Sequence, residues 1–319
     1  MARGPLYQPN YRPQFSGHET FPLRYGWLKK VTDALQVATD SADNRSVFTD
    51  SSAIARFGVG KNMVASMRHW AEAVGVIEEA TRDSRISITS LGHKLFGPNG
   101  VDPFLESHSS LWMLHWHLAG RPDKTTWYWT FSHFPGAHFD REQLVRGLEQ
   151  LAVESGWNRV ATATIKRDVD CFIRTYAPRL ASSEGADEDT LESPLTELGL
   201  IQQIGKRDGF RLVRNSKPTL SLGMFFFALS EFWTQYSSSR TLSLEAAVYE
   251  PGSPGRVFLL NEDDVAERIK QLEDATDGVI RWSETAGLRQ AITKDEISVD
   301  KALQFFMDEL RREPEREAA

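Results

Sequence analysis

The sequence has little of what several classes of protein require. Its single cysteine, Cys171, cannot form an internal disulfide or supply the thiolates of a structural zinc site. Its longest apolar run, residues 220–233, is interrupted by serine, glycine and glutamate and falls short of the roughly 20 apolar residues that cross a bilayer. The first residues contain proline and tyrosine where a secretory signal has an apolar core. We therefore expect a cytoplasmic chain without a membrane span.

Familiar catalytic motifs are also missing. The sequence contains no HExxH, GxSxG or GxGxxG, and Pro122 and Asp123 are not followed by the Glu-x-Lys of a common nuclease motif. Residues 58–62, GVGKN, come nearest to a phosphate-binding loop. In that register Ala55 occupies the first glycine position and Asn62 replaces the hydroxyl that binds Mg²⁺. We recognise no nucleotide site and interpret the glycines as a tight turn.

Metal-ligand patterns are weak throughout the sequence. No pair with ligand spacing occurs among the histidines of the central region, which are His115, His117, His133 and His138. Asp168 and Asp170 lie two apart on a predicted helix, so their side chains diverge. We interpret them as solvated helix charges in preference to a metal pair, and Cys171 as a core residue.

What is present is typical of a globular protein, with 40% hydrophobic and 25% charged residues. The net charge of −7 disfavours non-specific binding to nucleic acid, but the charge is uneven. Residues 1–100 contain 12 basic and 9 acidic side chains, whereas residues 181–319 contain 16 basic and 26 acidic ones. A basic N-terminal part on an acidic body permits local contact with DNA; a chance excess of three charges is the alternative.

Residues 25–96 follow the order of a winged helix-turn-helix. Apolar residues at helical spacing predict a helix from residue 25, a short helix after Asp50, a glycine turn at residues 58–60 and a third helix over residues 61–74. Alternating residues then predict a two-stranded hairpin. Winged helices also serve as protein-interaction modules, so this order leaves the partner open.

Weaker versions of the same order recur along the chain. We therefore predict a fold that is mainly α with small β-hairpins (α+β) and contains multiple winged helix-turn-helix-like units. The predicted domains are an N-terminal arm with a winged helix over residues 1–100, a central helical unit over 101–215 and an acidic winged-helix-like unit over 216–319.

Candidate DNA contacts follow from this assignment. Side chains that suit phosphates and base edges are predicted to face outward from the third helix, from the hairpin and from a second recognition-type helix over residues 164–176. They are Lys61, Asn62, Ser66, Arg68 and His69, then Arg82 and Arg85, then Lys166 and Arg167.

The most unusual run is SGHETFPLRYGW, residues 16–27. His18, Glu19 and Arg24 offer a base, a carboxylate and a phosphate clamp, and we select them as candidate catalytic residues. The competing interpretation is structural: the arm folds back, its aromatic residues pack on the first helix, and Glu19 or Thr20 caps that helix.

The segments SGHETFPLRYGWLKK, GVGKNMVASMRHWAEAVGVIE and TIKRDVDCFIRTY together resemble a bacterial family that is encoded beside DNA sulfur-modification genes. Its characterised members are SspB-type nickases of the single-strand DNA phosphorothioation system, and the resemblance runs over about residues 15–310. It implies a protein that nicks double-stranded DNA in anti-phage defence, together with a cysteine desulfurase, an ATP-dependent sulfur-transfer enzyme and an ATPase. The family's catalytic residues are not carried over; His18, Glu19 and Arg24 come from the local cluster alone.

Three functions stay open at this point. The first is a nickase that uses Mg²⁺ or Mn²⁺ and whose site is assembled across domains or across a homodimer. The second is a non-enzymatic DNA-binding adaptor or regulator that positions sulfur-transfer proteins. The third is a protein-binding scaffold, which the acidic C-terminal segment favours.

Overall fold

The computed structural model describes residues 4–38, 44–80, 85–157, 159–177, 193–205, 208–285 and 287–317. Its helices are α1 (Trp27–Val37), α2 (Ser46–Thr49), α3 (Ala53–Phe57), α4 (Lys61–Ala73), α5 (Ser90–Phe96), α6 (His108–Ala119), α7 (Thr125–Ser132), α8 (Arg141–Glu154), α9 (Thr162–Tyr176), α10 (Leu222–Tyr236), α11 (Leu244–Tyr249), α12 (Pro254–Val257), α13 (Glu262–Ala275) and α14 (Val299–Glu317). Short 3-10 helices span Pro5–Tyr7 and Pro194–Leu198.

The strands are short and pair in small antiparallel sheets. They are β1 (Ile77–Glu79), β2 (Ile86–Ile88), β3 (His138–Phe139), β4 (Ile201–Gln203), β5 (Phe210–Leu212), β6 (Thr241–Ser243), β7 (Ile280–Thr285) and β8 (Leu288–Thr293). Their orders are β1-β2, β3-β5-β4 and β6-β8-β7. The prediction of a mainly helical chain with small hairpins is confirmed. In the described part of the chain, no helix has the length and apolarity needed to cross a membrane.

The chain divides into two compact units. Unit 1 consists of residues 1–12, 107–137 and 212–319, and unit 2 of residues 13–106 and 138–211. Of the three domains predicted from the sequence, 216–319 falls within unit 1, whereas 101–215 contributes to both units. The three-domain organisation stays a prediction.

The first part of unit 2 contains the elements predicted over residues 25–96. Trp27, Leu28, Val31 and Leu35 form the buried face of α1, which packs on α4 and α5. Gly58 ends α3 with a φ of 67°, in the left-handed region that favours glycine, and so turns the chain towards α4. The β1-β2 hairpin follows, with Ile77 paired to Ile88.

The second part of unit 2 is a helix pair with a small sheet. Asp140 begins α8 with a capping box, in which its carboxylate accepts from the Gln143 amide and the Gln143 side chain accepts from the Asp140 amide. Leu144, Val145, Leu148 and Leu151 are the buried face of α8, which packs on α9.

Unit 1 has a large aromatic core. In α6 every residue from Ser109 to Ala119 is buried, and Trp112 and Trp116 contact Phe258 edge-on or tilted at ring-centroid distances of 5.5 and 5.4 Å. α10 packs against α14, and the β7-β8 hairpin pairs Ile280 with Thr293.

Candidate functional site

The segment of residues 16–26, here called the N-terminal loop, is fastened to two helices of unit 2. The Phe21 carbonyl oxygen accepts from Nε1 of Trp70 at 2.9 Å, from Oγ of Ser66 at 3.5 Å and from Sγ of Cys171 at 3.4 Å. Arg174 on α9 also donates to the Thr20 carbonyl. Because the donors come from both α4 and α9, the loop has a defined path between them.

His18 is the buried centre of this loop. Its Nε2 lies 2.8 Å from Oδ1 of Asp168 on α9, and the side chains of the two residues are only 4% and 2% exposed. Its Nδ1 accepts a 3.0 Å hydrogen bond from the Thr20 amide. A ring nitrogen that accepts a backbone N–H carries no proton, so the proton of a neutral ring lies on Nε2 and is donated to Asp168.

The backbone around His18 is strained. Gly17 has a φ of 108°, and Glu19 and Thr20 follow with φ values of 46° and 67°. A Cβ atom at Gly17 would lie 2.3 Å from Nδ1 of His69, so only glycine fits beside that ring. Consecutive residues in the left-handed region persist only where surrounding contacts hold them, and such strain concentrates at functional sites.

The three candidate catalytic residues have different environments. Glu19 is exposed, whereas His18 and Arg24 are buried. The guanidinium of Arg24 lies 5.7 Å from the ring centroids of both Phe21 and Trp27. This cation–π arrangement supports the structural interpretation of Arg24, in which the folded-back arm packs its aromatic residues on α1. Of the three candidates, Glu19 is the one that is exposed to solvent.

Several predicted DNA contacts face outward. Lys61 and Asn62 are exposed in the first turn of α4, Arg85 is exposed before β2, and Lys166 and Arg167 are exposed on α9. Arg82 lies outside the described residues.

The other three predicted DNA contacts on α4 are buried, partly buried or held in ion pairs. Ser66 was predicted to face outward, but it is buried beneath the N-terminal loop and its hydroxyl donates to Phe21, so it cannot contact DNA. His69 is partly buried and packs on His18 with ring centroids 5.9 Å apart. Arg68 is partly exposed and forms ion pairs with Glu72 at 2.9 Å and Glu79 at 2.7 Å.

A groove of about 350 Å³ runs between α8 and α9 of unit 2. Its lining mixes charges of both signs with two valines: Arg141, Glu142, Val145, Arg146, Glu149, Thr162, Lys166, Val169 and Asp170. Arg141 is held in place by ion pairs with Asp170 and Asp208. Lys166 is thus the predicted DNA contact that also lines a concave surface.

The environment of Asp168 also differs from the one predicted from the sequence. We interpreted it as a solvated charge, yet it is buried and bonded to His18. A signal was present: Asp168 follows Ile165 by three residues and precedes Phe172 by four, which places it on the apolar face of α9. A carboxylate on that face requires a buried partner. Asp170 is exposed, as expected.

The described residues do not form a metal cage. No three His, Cys, Asp or Glu side chains come together among them in a way that could hold an ion. His115 and His117 are buried in unit 1, and burial lowers the pKa of His115 to about 3. Mg²⁺ is commonly held by one or two carboxylates with phosphate oxygens and water, so an ion that arrives with DNA needs no such cage.

Fold and site together define a mainly helical protein of two units, with a strained N-terminal loop fixed by a buried His–Asp pair. The chain belongs to the family described as "Protein of unknown function (DUF4007)", whose model matches residues 15–306. It is similar to the magnesium-ion-bound crystal structure of SspB, with a TM-score of 0.80 and 28% sequence identity. A second SspB crystal structure matches with a TM-score of 0.78 and 28% identity; each match covers 95% of this chain and 90% of the other. No curated protein matches the sequence.

Proposed function

We propose that this protein binds double-stranded DNA and nicks one strand as part of bacterial DNA phosphorothioation and anti-phage defence. The observation that carries this proposal is the similarity to SspB at 28% identity over 95% of the chain. The sequence resemblance to SspB-type nickases rests on separate motifs in the N-terminal loop, α4 and α9. The partners that it implies are a cysteine desulfurase, an ATP-dependent sulfur-transfer enzyme and an ATPase.

DNA docking in this proposal uses the N-terminal part of unit 2. We infer that α1, α3, α4 and the β1-β2 hairpin act as a winged helix-turn-helix, with α4 as the recognition helix. Lys61 and Asn62 face solvent at the helix end where backbone amides also favour a phosphate. Arg85, Lys166 and Arg167 add exposed charge in the same unit.

The N-terminal loop supplies the candidate chemistry. Glu19 is an exposed carboxylate, and the carbonyls of the two residues after it are bonded to α9 and α4, which restricts the backbone that carries it. His18 fits a positioning role better than that of a base, because both of its ring nitrogens already have partners. Arg24 belongs with His18 in supporting the loop.

A plasmid-nicking assay tests this proposal. Supercoiled plasmid is incubated with the full chain and Mg²⁺ or Mn²⁺, and open circles are measured over time. The wild type should nick with at least one of these ions, Glu19→Gln should lose nicking while it still binds DNA, and Lys61→Gln should weaken binding. Glu154→Gln is the matched control, since it removes an exposed carboxylate at the far end of α8.

A non-enzymatic DNA-binding adaptor is the second candidate. One observation favours it: both ring nitrogens of His18 are engaged within the protein, so this histidine is not available as a base. Salt-dependent DNA binding without nicking under either metal ion would establish the adaptor and exclude the nickase.

A further inference from the structure

Unit 1 contains a cluster of cationic side chains, although the C-terminal part of the sequence is acidic. Arg214 follows β5; the residue as a whole is exposed, but its hydrogen-bonded guanidinium is part-buried. Arg256 in α12 is partly exposed. Both interact electrostatically with Tyr249, whose side chain is 48% exposed. Lys217 is buried nearby and interacts with Arg214. A cationic patch therefore reaches solvent in a segment, residues 181–319, that has 26 acidic and 16 basic residues.

The hydrogen-bond acceptors of this cluster are neutral oxygens. Nη1 of Arg214 donates to the carbonyls of Gly255, at 3.2 Å, and Leu260. Nε of Arg256 donates to the Tyr249 carbonyl at 3.2 Å. Nζ of Lys217 donates to the Val213 carbonyl at 2.7 Å and to the side-chain oxygen of Asn215 at 2.5 Å.

The three cations of the cluster have no directly paired carboxylate in the part of the chain that the structure describes. Among the described residues, none of Arg214, Lys217 and Arg256 forms an ion pair, and both terminal nitrogens of Arg256 lack an acceptor. Burial and then Arg256 lower the pKa of Arg214, while burial and then Arg214 lower the pKa of Lys217 to about 8. The cations thus disfavour one another's charged forms.

Two neighbouring carboxylates, those of Glu262 and Asp264, form no ion pair with this cluster in the described part of the chain. Glu262 accepts hydrogen bonds from the Tyr249 hydroxyl, at 3.2 Å, and from Arg289. Asp264 interacts with Lys217 electrostatically, but their distance exceeds that of an ion pair among the described residues. An anion bound between the two arginines would relieve their repulsion and occupy their remaining donors.

We propose that Arg214 and Arg256 form a phosphate-binding site on unit 1 that takes a backbone phosphate of duplex DNA. The chemistry recognised is the phosphate group, which a free nucleotide also carries. The alternative is structural: Arg214 and Arg256 would only tie α11, α12 and the residues after them together through main-chain carbonyls. The inference deepens the proposed DNA binding and does not depend on nicking.

The test measures duplex binding as a function of salt. Binding of a fluorescent 20-base-pair duplex to the full chain is followed by anisotropy, and log K is plotted against log salt concentration. Arg214→Gln/Arg256→Gln should reduce the magnitude of this slope by about 0.9, because the site takes one phosphate and each neutralised phosphate contributes about 0.9. Arg240→Gln/Arg311→Gln removes two exposed arginines from the same unit and should leave the slope unchanged.

A single variant and a titration with free phosphates separate loss of the site from loss of the fold. Glutamine can still donate to the carbonyls. Arg256→Gln alone loses one 3.2 Å hydrogen bond within the protein and should reduce the slope by at most about 0.9 if the fold persists. Titration of wild type with orthophosphate and with AMP, followed by calorimetry, identifies a free phosphate ligand. A reduced slope for duplex binding, or loss of orthophosphate or AMP binding, in Arg214→Gln/Arg256→Gln supports the site. Equal slopes in both double variants with no loss of phosphate or AMP binding would overturn it, even where wild type binds and nicks DNA.

Discussion

Nε2 of His18 lies 2.8 Å from Oδ1 of Asp168, although 150 residues separate the two along the chain. Both side chains are buried, and the other ring nitrogen of His18 accepts the Thr20 amide. The pair therefore connects α9 to the strained backbone of the N-terminal loop. It fixes the histidine tautomer and the positions of Glu19 and Thr20 together.

Removal of the carboxylate should destabilise unit 2. Asp168→Ala leaves the buried Nε2–H of His18 without its acceptor, and a hydrogen bond to a charged group contributes about 1.5–3 kcal/mol. We expect a loss of about that size in the free energy of unfolding, measured with urea. Asp170→Ala is the control, since Asp170 is 53% exposed and paired with Arg141 at the surface; its loss should stay below about 1 kcal/mol. Similar losses in the two variants would contradict the role of the buried pair.

Gly17 should tolerate no side chain while His69 is present. In Gly17→Ala the new Cβ would lie 2.3 Å from Nδ1 of His69 and the residue would keep a φ of 108°. A cost of about 1–3 kcal/mol in unfolding free energy is expected from the strained backbone, with more from the clash.

The matched change is Gly26→Ala, at a φ of 74° with nothing within 4 Å of the added atom. It carries only the backbone cost of about 1–2 kcal/mol. Adding His69→Ala to Gly17→Ala should recover the clash part of the loss. Strictly additive effects in this double-mutant cycle would show that the ring and the glycine do not interact.

Local patterns in the sequence predicted the elements of unit 2 well. Apolar spacing located α1 and α4, because this signal acts within one or two helical turns. Ser66 was misassigned because the N-terminal loop covers that side of α4, and the periodicity of a helix contains no information about a distant segment.

The pairing of His18 with Asp168 and the division into two units could not be predicted from the sequence, because both bring together segments that lie far apart along the chain. Unit 1 combines stretches from the beginning, the middle and the end of the chain, which no local pattern records. The sequence offered only indirect signals: a charged residue on the apolar face of α9, and an unusual loop in which His18 and Glu19 follow a glycine. Each indicated a missing partner without identifying it.

Two basic residues of α4 should contribute unequally to DNA binding. Lys61 is exposed in the first turn, whereas Arg68 is paired with Glu72 and Glu79. Lys61→Gln should reduce the slope of log K against log salt by about 0.9, as expected for one released phosphate contact. Arg68→Gln should change it less, because Arg68 must first give up two ion pairs to reach a phosphate. Equal slope changes in duplex anisotropy would refute this ranking.

Acid should destabilise unit 1 through one buried and one partly buried histidine, His115 and His133. Burial lowers the pKa of His115 to about 3 and that of His133 to about 4, from 6.5. Below pH 6.5 the unfolded chain takes up protons at these positions and the folded chain does not. The free energy of unfolding is therefore highest above pH 6.5 and falls as the pH decreases towards 4, by up to about 1.4 kcal/mol per pH unit for each proton.

His115→Gln isolates one of these protons. Nε2 of His115 lies 2.8 Å from the Val257 carbonyl, so the variant changes core packing and shifts the whole stability curve downward. The informative quantity is the slope: between pH 6 and pH 4 the variant should lose less stability per pH unit than wild type, by about 1 kcal/mol. Between pH 7 and pH 8 the two curves should run parallel, because the ring is neutral in both states. Parallel curves over the acidic range as well would mean that His115 takes up its proton without unfolding.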